Sequence, residues 1–148
     1  MPSKHLSLRL EPETLERLDQ EGRRSGRTRS EVAKTLLEEG LRMEVHPGVV
    51  FRSGPAGGRP ALADGPDISE VARVLRAQKG KGEEVVRETA KLTGLSVQQV
   101  RIAVRYYADY QEEIDEWLRG LDELAEREED AWSRQQDLDL TNQEHRLR

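Results

Sequence analysis

The segment Leu6-Ser7-Leu8-Arg9-Leu10 alternates apolar and polar residues and runs at once through Glu11-Pro12 into two short helical patterns. Successive side chains of a strand point to opposite faces, so Leu6, Leu8 and Leu10 share one face and His5, Ser7 and Arg9 the other. A strand must also satisfy its backbone donors and acceptors, and the next ~30 residues hold no second strand pattern that could pair with it. The alternation therefore predicts a strand that pairs with another chain.

Pro12 has no backbone N–H, which stops the strand and suits the first turn of a helix carrying Leu15 and Leu18. Ser25-Gly26-Arg27 reads as a turn. Thr28 or Ser30 can cap a second helix with apolar positions Val32, Ala33, Leu36, Leu37 and Leu41, Thr28 and Glu31 standing at capping-box spacing. This helix is expected to end near Gly40. The order of strand, helix, Ser-Gly-Arg turn and Ser30-Glu31-Val32-Ala33 opening resembles the ribbon-helix-helix repressors, in particular bacterial antitoxins that carry such a module, over about Lys4 to Glu44. The resemblance implies a dimer whose paired strands enter the major groove of double-stranded operator DNA. His5, Ser7 and Arg9 would then contact bases, Arg9 foremost because its forked donors match the O6 and N7 acceptors of guanine. Arg23, Arg27, Thr28, Arg29 and Ser30 would contact phosphates around the start of the second helix. An edge strand followed by a solvated arginine turn is the plainer alternative.

Only 34% of the 148 residues are hydrophobic and 36% are charged, too little apolar content for one large core, so small modules stabilised by oligomerisation fit better. Cysteine is absent, which excludes disulfides and thiolate metal sites and agrees with a cytoplasmic location. No apolar run approaches a membrane span. The net charge of −5 is unevenly placed: residues 1–44 carry nine basic and nine acidic side chains, 45–108 ten and six, and 109–148 five and fourteen. A local basic surface can bind DNA while an acidic far end stays away from it.

At His46-Pro47-Gly48 the pattern changes. Val49-Val50-Phe51 suits a short strand, and the glycine-rich stretch after it lacks the Gly-Lys-Ser/Thr ending of a phosphate loop, so it reads as a connection. Asp67 can cap a helix with Ile68, Val71, Ala72, Val74 and Leu75, ended by Gly80-Lys81-Gly82. A helix from about Glu83 to Thr93 reaches Gly94, and Ser96 caps another from Val97 to about Tyr110. Ala90, Gly94 and Val100 stand where a helix-turn-helix needs a small residue, a turn glycine and a branched apolar residue. Gln98, Gln99, Arg101 and Arg105 are the candidates for a second DNA-reading set, against a purely structural role for these helices. From His46 to about Trp117 the chain resembles a small helix-turn-helix family recurrent in bacterial antitoxins. The resemblance rests on His46-Pro47-Gly48-Val49-Val50-Phe51, Gly54-Pro55-Ala56-Gly57-Gly58-Arg59-Pro60, Gly65-Pro66-Asp67, Val104-Arg105-Tyr106-Tyr107-Ala108 and Glu113-Ile114-Asp115. Such proteins commonly accompany PIN-like ribonucleases, so the resemblance implies a toxin of that class as partner.

Beyond Asp109 the chain reads as one long amphipathic helix, and its distal part is expected to order fully only on a partner. Trp117, Leu121, Leu124, Trp132, Arg134, Leu138 and Leu140 are the candidates for contact with the toxin. His5, His46 and His145 lack metal-ligand spacing and no nucleophile signature is present, so no catalytic residue, metal or cofactor is expected.

The expectation is a mainly α-helical chain in three parts: a ribbon-helix-helix module over 1–44, a helix-turn-helix domain with a short β segment over 45–118, and an acidic tail over 119–148. It would act as a homodimer, or a higher oligomer with its toxin, repressing its own operon and neutralising the toxin. The rival is a DNA-architecture or segregation protein that assembles through its C-terminal helix.

Overall fold

The computed structural model describes residues 1–54 and 57–147; Pro55 and Ala56 of the expected loop, and Arg148, lie outside them. The chain is mainly helical, in the order α1 (Pro12–Ser25), α2 (Arg29–Val45), β1 (Val49–Arg52), β2 (Arg59–Leu62), α3 (Ile68–Ala77), α4 (Glu83–Thr93), α5 (Val97–Asp109) and α6 (Gln111–Arg146). Residues 1–10 form neither helix nor strand within the single chain.

Local chemistry accounts for most of these boundaries. Pro12 opens α1, and Gly26 closes it in the left-handed region at φ 68°, where a side chain would be strained. Gly22 lets the two helices turn back tightly, since a Cβ there would sit 2.6 Å from the Arg27 carbonyl oxygen. Thr28 caps α2 in a full capping box: its hydroxyl accepts from the Glu31 N–H and the Glu31 carboxylate accepts from the Thr28 N–H. Ser96 and Gln99 repeat the device at α5, and Gly94, at φ 74°, ends α4.

Three details differ from the expectation. The second helix does not end near Gly40 but runs to Val45, because Leu41, Arg42 and Met43 keep good helix propensity beyond one tolerated glycine. The stretch read as part of a loop contains a second strand, Arg59–Leu62, antiparallel to the first with Val49 opposite Leu62 and Arg52 opposite Arg59. Pro60 disguised it, since proline argues against a strand except at an edge. Asp67 precedes α3 without capping it through its side chain; its carboxylate lies 3.1 Å from Arg59 Nε and 3.9 Å from Arg52 Nη1, screening two like charges that face each other across the hairpin.

The core lies between the hairpin, α3, α5 and the start of α6, built from Val49, Leu62, Ile68, Val71, Ala72, Ala103, Tyr106, Ile114 and Leu118. Val86, Ala90 and Val100 form a second cluster between α4 and α5. Beyond Leu118 every described residue of α6 is exposed. That stretch is helical through Arg146 and continues α6 without a break.

Candidate nucleic-acid and partner-binding surfaces

The N-terminal arm leaves its apolar side chains uncovered. Leu6, Leu8 and Leu10 are 69%, 61% and 40% exposed, and on α2 Leu36, Leu37 and Leu41 are 52%, 49% and 66% exposed. At 100° per residue, Val32, Thr35, Glu39 and Arg42 share the inward face of α2, while Ala33, Leu36, Leu37, Gly40, Leu41 and Met43 make a second, outward apolar face. A Cβ on Gly40 would meet nothing within 4 Å among the described residues, so no described contact calls for a glycine that costs a helix up to ~1 kcal/mol. Of these two faces of α2, the chain itself covers the first and leaves the leucines of the second exposed.

His5, Ser7 and Arg9 are exposed, and His5 Nε2 stands 3.1 Å from Ser7 Oγ, as expected of neighbours on one side of an extended segment. The phosphate candidates divide. Arg23 and Ser30 are exposed. Thr28 spends its hydroxyl on the α2 cap. Arg27 donates to Ser25 Oγ and Thr35 Oγ1, both at 3.2 Å. Arg29 is held in a two-pronged ion pair, 2.8 and 2.7 Å from the Asp19 oxygens, and this hydrogen bonding keeps the Asp19 carboxyl below its ordinary range. Sequence reasoning missed Asp19, which reaches Arg29 across a turn rather than along a helix.

On the helix-turn-helix unit, Gln99 is committed to the α5 cap and also donates to the Asp64 carbonyl. Arg101 pairs with Glu83 at 2.8 Å. Gln98 and Arg105 remain exposed on the outer face of α5.

A polar seam joins the arm to the middle of the chain. Arg42, in the last turn of α2, donates to Glu113 Oε2 at 2.7 Å and to the Tyr106 hydroxyl at 3.0 Å, with its guanidinium 3.9 Å from the Tyr110 ring centroid. Burial opposes the Arg42 charge, but the bonds to Glu113 and Tyr106 outweigh it and hold the guanidinium protonated more firmly than usual. Next to it, buried His46 lies 2.8 Å from Asp109 and edge-on to Tyr106. Arg42 carried no sequence signal, since its partners lie more than sixty positions away.

Along α6, Ile114, Trp117, Leu118, Leu121, Leu124 and Trp132 fall within about a third of the helix circumference. Leu138 and Leu140 lie on opposite flanks of that stripe, and Arg134 sits on the far side, its Nε 3.3 Å from the Asp130 carbonyl. The seven toxin-contact candidates are therefore not brought together: Trp117, Leu121, Leu124 and Trp132 share a face, and the other three do not. Between this face, Gly58 and Pro60 lies a groove of about 650 Å³.

Among the described residues no cluster of His, Asp and Glu is arranged to hold a metal ion, and no helix is long and apolar enough to cross a membrane. Comparison with protein-family models, with curated proteins and with solved structures finds no match to this chain.

Proposed function

We propose that the chain is an antitoxin and autoregulator: its N-terminal arm forms a ribbon-helix-helix dimer on operator DNA, and α6 captures and neutralises a PIN-like ribonuclease. The reading rests above all on two uncovered apolar sets, Leu6, Leu8 and Leu10 of the arm and Leu36, Leu37 and Leu41 of α2. Pairing two arms as an antiparallel ribbon, with the outward faces of two α2 helices together, buries those side chains and satisfies the strand backbone. At ~25 cal/mol per Å² of apolar surface removed from water, burial of six leucines per protomer gives ample drive for a dimer. The same pairing turns His5, Ser7 and Arg9 to the opposite face, where a β-ribbon reads the major groove.

The partner class follows from the resemblance, and two features of α6 support its role. Its apolar stripe extends past the packed core, and fourteen acidic against five basic side chains over residues 109–148 keep it from phosphates while suiting a basic RNA-holding surface. Like charge along α6 also disfavours assembly of many copies through that helix, which counts against the architectural rival.

Co-expression with the neighbouring gene tests the reading. Growth should be rescued by the full chain and the two products should copurify, while a chain ending before Leu124 keeps DNA binding and loses rescue. Undiminished rescue and copurification by that shortened chain would move partner binding into the middle domain.

A further inference from the structure

We propose that the groove beside α6 seats an amphipathic helix whose polar face is basic, contributed by the partner protein; this rests on α6 being the partner-binding element. The groove is walled by Gly58, Arg59 and Pro60 on one side and by Ile114, Trp117, Leu121 and Leu124 of α6 on the other. Trp117 and Leu121, each 39% exposed, are only half covered by the chain's own core. From Glu113 to Leu124 the α6 wall is about 16 Å long, the length of three helical turns and the span of i, i+3/i+4 and i+7 anchors on a docked helix.

Gly120 lines the same groove, and a Cβ there would meet nothing within 4 Å among the described residues, so no described contact requires a glycine. Its missing side chain leaves a notch between Trp117 and Leu124 where the backbone of a docked helix can approach. A docked strand is disfavoured, because the outer edge of β2 is already occupied: Ala61 bridges Asp67, and Leu62 N–H donates to the Pro66 carbonyl at 3.0 Å. Charge sets the chemistry of the occupant. Glu116 and Glu113, the latter paired with Arg42, line the groove opposite Arg59, which is paired with Asp67, and α6 carries thirteen acidic side chains against four arginines over Gln111–Arg146. A second copy of α6 would bring like charge against like, whereas lysines or arginines around a Leu-rich stripe would meet the acidic excess of α6.

The test uses the full chain carrying Trp132→Phe, which leaves Trp117 as the only tryptophan, and three synthetic helical peptides of about five turns. One has leucines at groove spacing among lysines, one has the same leucines among glutamates, and one has the same lysines with serine in place of leucine. The Leu/Lys peptide should bind with a blue shift of Trp117 fluorescence, and Gly120→Leu should weaken it roughly tenfold with helix content unchanged by circular dichroism. Equal binding of the Ser/Lys peptide, or indifference to Gly120→Leu, would show charge attraction without a seat and overturn the proposal. A change in the sedimentation of the chain alone on Gly120→Leu would make a second copy the occupant and overturn it as well. Because the probe is a peptide, this result stands apart from toxin rescue: rescue can persist if the groove fails, and the groove can hold if rescue fails.

Discussion

Arg42 and Glu113 stand 71 positions apart in sequence, and their side chains meet at 2.7 Å, tying the end of α2 to the first turn of α6. The element proposed to read DNA and the element proposed to hold a partner are thereby braced against one another. Arg42 also covers the Tyr110 ring and bonds the buried Tyr106, so its loss leaves a phenol hydroxyl short of a donor. Arg42→Ala should lower unfolding stability in urea by about 1–3 kcal/mol. Arg42→Lys should recover only part of this, since one ammonium cannot reproduce a fork and a stacked plane.

Asp19 and Arg29 give a prediction of opposite sign. The pair withholds Arg29 from any phosphate, so Asp19→Asn should raise DNA affinity a few-fold and steepen its salt dependence, where Arg23→Ala should weaken binding to all sequences and flatten it. Because hydrogen bonding to Arg29 depresses the Asp19 pKa, the pair stabilises the fold above the ordinary aspartate range and that contribution fades as pH falls through the lowered value. Filter binding over a salt series distinguishes the two variants, and an Asp19→Asn protein that binds no better would remove Arg29 from the phosphate set.

Glu39 behaves in the opposite way. Partial burial against Gly58 raises its pKa, so its contribution to stability is present below the ordinary glutamate range and is lost as pH rises through the raised value. Glu39→Gln should therefore be as stable as the parent at pH 4 and more stable at pH 7, a difference that thermal melts at the two pH values read directly.

How much of this was legible depends on the range over which each residue acts. Pro12, the Thr28–Glu31 box, Gly94 and Ser96 act within one turn, so their spacing alone placed the starts of α1, α2 and α5 and the end of α4. Pro60 misled, because a proline at the edge of a two-stranded hairpin costs little although it reads as a loop. Gly40 misled in the same way: a helix packed on one side tolerates it, and its place on the outward face became visible only once α2 was seen to continue. The ties of Arg42 to Glu113, Arg29 to Asp19 and Asp67 to two arginines depend on tertiary approach, and no local pattern announces them.

Gly40 also provides a test of the dimer. In an isolated helix Gly40→Leu should add stability, up to ~1 kcal/mol, since nothing lies near the new side chain. If two α2 helices cross there, the same change should instead push them apart and lower the dimer association constant at least tenfold, seen by sedimentation equilibrium. A tighter or unchanged dimer would place the crossing elsewhere on α2.

The most direct test of the central claim is footprinting of the full chain on the DNA upstream of its own gene, comparing the parent with Arg9→Ala and Leu8→Asp. The account predicts two symmetric half-sites protected by the parent. Arg9→Ala should lose ~1–3 kcal/mol per half-site contact and relax the base preference, and Leu8→Asp should yield a monomer that protects nothing. Sequence-specific protection that survives both substitutions undiminished would contradict it.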